Sequence, residues 1–162
     1  MKNKNTTFLV QAAAIAAVYV VLTLVFAPIS YGEIQVRISE ALTVLPFFTP
    51  AAVPGLFIGC LIANILGGAI LPDIIFGSLA TLLGAVFSYL LRSNRFLVPI
   101  PPIVANVLIV PFVLRYGYGV NLPIPFMMMT VGIGEIISCA VLGLILLKAL
   151  ERYAGRIFMT QN

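Results

Sequence analysis

The sequence predicts an all-α integral membrane protein, a bundle of six transmembrane helices with both termini in the cytoplasm. Three observations carry this reading. Of 162 residues, 62% are hydrophobic and 9% are charged. A soluble domain carries about 25% charged residues and needs polar groups to cover its surface. Apolar runs of about 20 residues, long enough to cross a bilayer, recur along the chain. The basic residues also fall on one side once these runs are counted as crossings. A β-barrel is not expected, because the runs are continuously apolar and lack the alternation of barrel strands.

The first helix is expected over 7–28. Lys2 and Lys4 precede it as in a signal peptide, but the run is longer than a signal core and no A-x-A site follows, so a retained span is expected. A polar loop follows over 29–39. The next stretch is interrupted at "TPAAVPG" and at "GGAILPD", where prolines without amide donors favour turns and helix starts. This places a short second helix over 40–49, a third over 52–69 and a fourth over 73–91. "RSNRFLVPIPP" leads into a fifth over 99–116, and "RYGYGVNLPIP" into a sixth over 125–149. Residues 1–162 form a single transmembrane domain. The second helix is short for a crossing, so five full spans with one tilted or partly re-entrant helix is the alternative.

Six spans put Lys2, Lys4, Arg92, Arg95, Lys148, Arg152 and Arg156 on one side, seven of the nine basic residues. Arg37 and Arg115 fall on the other, with Glu33, Glu40 and Asp73. The positive-inside rule then assigns the first side to the cytoplasm of a cell membrane. The net charge of +4 is accounted for by topology. It is not gathered into a stripe, so nucleic acid is not an expected partner. With no histidine, a His metal site or His general base is excluded. No metal, cofactor or enzymatic activity is expected, and no nucleotide-binding GxxxxGK[ST] motif occurs. Cys60 and Cys139 lie inside apolar runs and read as small buried hydrophobes.

Polar residues within spans are the functional candidates. Glu135 lies about mid-membrane in the sixth helix, where a carboxylate costs a few kcal/mol and normally faces a cavity, a partner or a proton path. Asn64 and Asn106 are either ligand contacts or helix-to-helix bridges. Asp73 sits in the first turn of the fourth helix, near its positive dipole end, or at the mouth of a site. Within "GEIQVRISE", Ile34, Val36 and Ile38 alternate with polar residues, whereas Glu33, Arg37 and Glu40 have helical pairing intervals. The expectation is a partly extended loop that enters the second helix with Ser39 as N-cap and Arg37 either clamped between Glu33 and Glu40 or directed at a ligand. Small residues four apart at Ala12 and Ala16, and at Ala13 and Ala17, allow close helix approach, inside this chain or against a partner. Gly55, Gly59, Ala63 and Gly67 form a longer small face, expected to pack internally.

The stretch "GEIQVRISEALTVLPFFTPAAVPGLFIGCLIANILGG", followed by "DIIFGSLATLLGA", resembles the QueT family, membrane subunits proposed to import queuosine precursors. These are S-components, the substrate-binding subunits of energy-coupling factor (ECF) transporters. The resemblance covers essentially the whole chain and is most specific over 32–46 and 73–85. It implies an S-component-like bundle of six helices with a site toward the extracellular face. It also implies a separate energy module of one transmembrane coupling subunit and two ATPases, and transport by toppling of the loaded subunit. The alanine pattern is similar to the S-component docking motif, which implies that Ala12, Ala13, Ala16 and Ala17 contact the coupling subunit.

For a 7-deazaguanine ligand, one carboxylate can accept both N1–H and the 2-amino group; Glu135 is the first choice and Glu40 the second. Asn106, Asn64 and Arg37 suit the carbonyl and N3 edge. A cationic aminomethyl group favours Glu33, Glu40 or Asp73, and the flat ring favours Phe76, Tyr116 or Tyr31. The competing readings are an S-component for another vitamin-like molecule and a self-sufficient transporter with Glu135 as proton carrier.

Overall fold

The computed structural model describes residues 4–30 and 36–158. Among them, six apolar helices build the bundle and no strand occurs. The first (Lys4–Val25), fourth (Leu71–Leu90), fifth (Ile100–Gly117) and sixth (Ile124–Glu151) are long and apolar enough to cross a membrane. The second (Ile38–Phe47) and third (Ala52–Leu66) are shorter. Six helices are therefore present among the described residues, while span length is reached by four of them.

The second helix is a 3-10 helix of ten residues, an unusually long run for that geometry. Its rise of about 2.0 Å per residue carries ten residues about 20 Å, short of a hydrocarbon core about 30 Å thick. Every residue from Ser39 to Pro46 is buried. It packs against the first, third, fourth and sixth helices, so its irregular backbone is enclosed in protein, the setting in which membranes tolerate such backbone.

Glycines set the close approaches around it. A Cβ at Gly55 would lie 2.8 Å from the Ala12 carbonyl oxygen, and one at Gly59 would lie 2.8 Å from Tyr19 Cβ. The first and third helices thus pack nearly backbone to backbone, the contact that dispersion favours in lipid. Ala63 continues this face, but Gly67 is exposed. The third helix ends at Leu66, earlier than expected, because Gly68 turns the chain at φ +74°. At Gly84 the fourth helix meets Pro102 of the fifth, where an added Cβ would fall 2.7 Å away.

The hydrophobic core gathers Ile15, Tyr19, Leu42, Leu45 and Leu56. Phe158 stacks on Phe48 with ring centroids 5.1 Å apart, tying the chain after the sixth helix to the end of the second. Arg37, Asp73 and Tyr118 meet at one end of the fourth helix. Toward its other end, Arg95 pairs with Glu151 at 3.7 Å. This matches the grouping of loops expected from counting crossings.

Candidate binding site: a buried polar cluster

Glu40 is the hub of the cluster. Arg37 leads into the second helix in an extended conformation (φ −89°, ψ 99°), and Glu40 lies in its first turn. Ser39 is not the N-cap: the helix begins one residue earlier, at Ile38. The Ser39 hydroxyl instead lies 2.7 Å from Thr23 Oγ1 on the first helix. Glu40 Oε1 accepts hydrogen bonds from the Tyr19 hydroxyl and, at 3.4 Å, from Thr81 Oγ1 of the fourth helix. Glu40 Oε2 is buried with no hydrogen-bond partner among the described residues. An unsatisfied buried acceptor costs about 1–3 kcal/mol, so this oxygen marks a place where a donor is wanted.

On one side of Glu40 stands the sixth helix. Glu135 Oε2 lies 3.2 Å from Cys139 Sγ, and the buried Asn106 side chain of the fifth helix approaches the Glu135 carboxylate. Thr43 donates to the Glu40 carbonyl oxygen at 2.6 Å and lies 3.5 Å from Cys139 Sγ. A π-helical segment, Ile136–Leu142, begins directly after Glu135; such segments recur at functional positions. Glu40, Glu135 and Cys139 each offer a donor atom within 4.8 Å of the others. This arrangement can receive a cation.

On the other side, Arg37 pairs with Asp73 at 3.7 Å. The expected clamp of Arg37 between Glu33 and Glu40 involves Glu33, which lies outside the described residues. Tyr118 donates to Asp73 Oδ2 at 2.9 Å. Burial first, then the Asp73 charge and the hydrogen bond donated to it, push the Tyr118 hydroxyl up to about 12. Asn64 Nδ2 lies 3.4 Å from the Asp73 carbonyl oxygen and 3.6 Å from Cys60 Sγ, while its Oδ1 has no hydrogen-bond partner. Thr81, 3.4 Å from Cys60 Sγ, joins this half of the cluster to Glu40.

All six polar candidates, Arg37, Glu40, Asn64, Asp73, Asn106 and Glu135, are therefore brought into one connected cluster, each at most 5% exposed. Glu33 and Tyr31 lie outside the described residues. Phe76 and Tyr116 stand apart from the cluster, exposed along an apolar groove of about 480 Å³ that also includes Phe112 and Val113. Ala12 and Ala16 face inward against the third helix, whereas Ala13 and Ala17 are exposed.

Sequence reasoning passed over Tyr19, Thr43, Thr81, Tyr118 and both cysteines. Cys60 and Cys139 are buried as expected, but among polar groups. A usable signal was present: Tyr19 and Thr23, Cys60 and Asn64, and Glu135 and Cys139 are polar pairs four apart, each marking one helix face. Gly77 lies between Asp73 and Thr81 at the same interval.

Long apolar helices enclosing a charged and polar cluster define a multi-pass membrane protein of the binding and transport class. The chain belongs to the QueT transporter family, whose profile it matches over residues 9–152. It is also similar to the queuosine precursor transporter QueT of Lactococcus lactis subsp. cremoris (strain MG1363), 42% identical over 84 residues. That match covers 51% of this chain and 49% of the relative, so about half the length of each is aligned. No solved structure matches the chain.

Proposed function

We propose that this chain is the substrate-binding membrane subunit of an ECF-type importer for a queuosine precursor of the 7-deazaguanine class. It takes its ligand from the extracellular side and works with a transmembrane coupling subunit and two ATPases, with both termini cytoplasmic. The observation that carries this is Glu40 Oε2, a buried acceptor without a donor at the hub of the cluster, in a chain of the QueT transporter family. Glu40 and Glu135 accept the ligand's N–H groups in charge-assisted hydrogen bonds. Asn64, Asn106 and Arg37 supply donors to its carbonyl and ring nitrogen. Arg37, Asp73 and Tyr118 close the outer end.

The test is ligand binding by the purified subunit, comparing 7-deazaguanines with guanine and common vitamins. Selective binding of deazaguanines, lost in Glu40→Gln, is the expected result. Tight binding of an unrelated vitamin alone would overturn the substrate. Uptake by the chain alone, abolished by a protonophore, would overturn the S-component role.

A further inference from the structure

We propose that Glu40 and Glu135 form a cation–proton exchange site: empty, the pair holds one proton, and a ligand bearing a protonated amine displaces it. This deepens the functional reading above and rests on it.

The argument begins with charge. Among the described residues, the buried acidic and basic side chains are Arg37, Glu40, Asp73 and Glu135, three carboxylates and one guanidinium. Arg37 is paired with Asp73 at 3.7 Å, and Tyr118 completes that carboxylate. Glu40 and Glu135 then face one another, with donor oxygens and Cys139 Sγ mutually within 4.8 Å. Two ionised carboxylates at this separation repel strongly in a medium of low dielectric. Carboxylates sharing a site resolve this by sharing a proton.

Among the described residues, the remaining neighbours do not supply a cation. The first helix contributes Tyr19 and the third Cys60, both neutral in their protonated forms. The fourth contributes Thr81, the fifth Asn106 and the sixth Cys139. Arg37 also acts electrostatically on both glutamates, but its ion pair is with Asp73. The hydrogen-bond inventory points the same way. Glu40 Oε1 accepts from Tyr19 and Thr81, while Oε2 has no donor among the described residues. A ligand ammonium supplies both the missing donor and the missing charge. The charge balance is one for one: the ammonium enters, the proton leaves to solvent, and the net charge of the cluster is unchanged. A neutral ligand gains no such exchange.

The test compares two 7-deazaguanines that differ only at the 7-substituent, aminomethyl against nitrile, by calorimetry on the purified subunit. Measuring in buffers of different ionisation enthalpy counts the protons released. The aminomethyl compound is expected to bind about ten- to a hundredfold more tightly, the range of one charged hydrogen bond, with about one proton released and affinity rising with pH. The nitrile is expected to release none. Glu135→Gln should abolish proton release and narrow the preference, with a cooperative thermal unfolding transition in detergent reporting that the variant is folded. Equal binding of both compounds without proton release overturns the exchange and leaves the functional reading standing. Binding of neither compound, with an unrelated vitamin bound instead, overturns the functional reading itself.

Discussion

The Tyr19 hydroxyl on the first helix donates a hydrogen bond to the Glu40 carboxylate in the second, and both side chains are almost wholly buried. This links the helix carrying the alanine pattern to the hub of the polar cluster. Removing the hydroxyl in Tyr19→Phe keeps the ring in the core and leaves Glu40 Oε1 with the longer contact to Thr81 alone. The expected cost is about 1 kcal/mol of stability, together with weaker ligand binding. Thermal unfolding in detergent and a binding titration check the two effects; a variant equal to wild type in both would remove Tyr19 from the site.

Tyr118 gives a pH dependence whose sign follows from its environment. Its hydroxyl is held up to about 12 against an ordinary 10. The group is protonated when it donates to Asp73, so its contribution to stability is fully present below pH 10 and is lost as pH rises from 10 to 12. The stability difference between wild type and Tyr118→Phe should be constant below pH 10 and shrink across that window. A difference that persists unchanged above pH 12 would show that the hydrogen bond to Asp73 is not its source.

How much of this was legible beforehand depended on the length scale of the signal. Apolar runs and their Pro and Gly breaks act locally, so the order of the six helices followed from them. The charges near helix ends gave the loop grouping that the Arg95–Glu151 pair matches. Buried polar residues in apolar runs were equally visible, which is why Glu135, Asn64 and Asn106 were candidates. The partnerships were not legible. Arg37 with Asp73 and Tyr19 with Glu40 join residues 36 and 21 positions apart, and such pairs are set by tertiary packing. The 3-10 geometry of the second helix, which four neighbours enclose, was also not legible.

Gly77 lies under the polar cluster. A Cβ there would fall 2.9 Å from Asp73 Oδ1 and 3.4 Å from Asn64 Nδ2. Gly77→Ala therefore pushes on both side chains without altering any charge. Overpacking of this kind costs about 1–3 kcal/mol, and ligand binding should weaken alongside stability. Gly155→Ala, where nothing among the described residues lies within 4 Å of the added carbon, is the matched control. Melting curves of the two variants check the contrast; equal behaviour would mean that the space at Gly77 is not set by the cluster.

The two halves of the alanine pattern should separate in function. Ala12 and Ala16 are buried against Gly55 and Gly59, while Ala13 and Ala17 face outward. Ala16→Leu has no space to enter and should destabilise the bundle by about 1–3 kcal/mol. Ala13→Leu and Ala17→Leu, on the open face, should change stability by less than about 0.5 kcal/mol and leave ligand binding intact. If the outward alanines dock the coupling subunit, those variants should nevertheless lose ATP-driven uptake, because leucine holds the partner helix away from a surface shaped for close approach. The decisive comparison is ligand binding by the isolated subunit against uptake by cells holding the complete transporter. Uptake at the wild-type rate with Ala13→Leu and Ala17→Leu combined would place the docking surface elsewhere on the bundle.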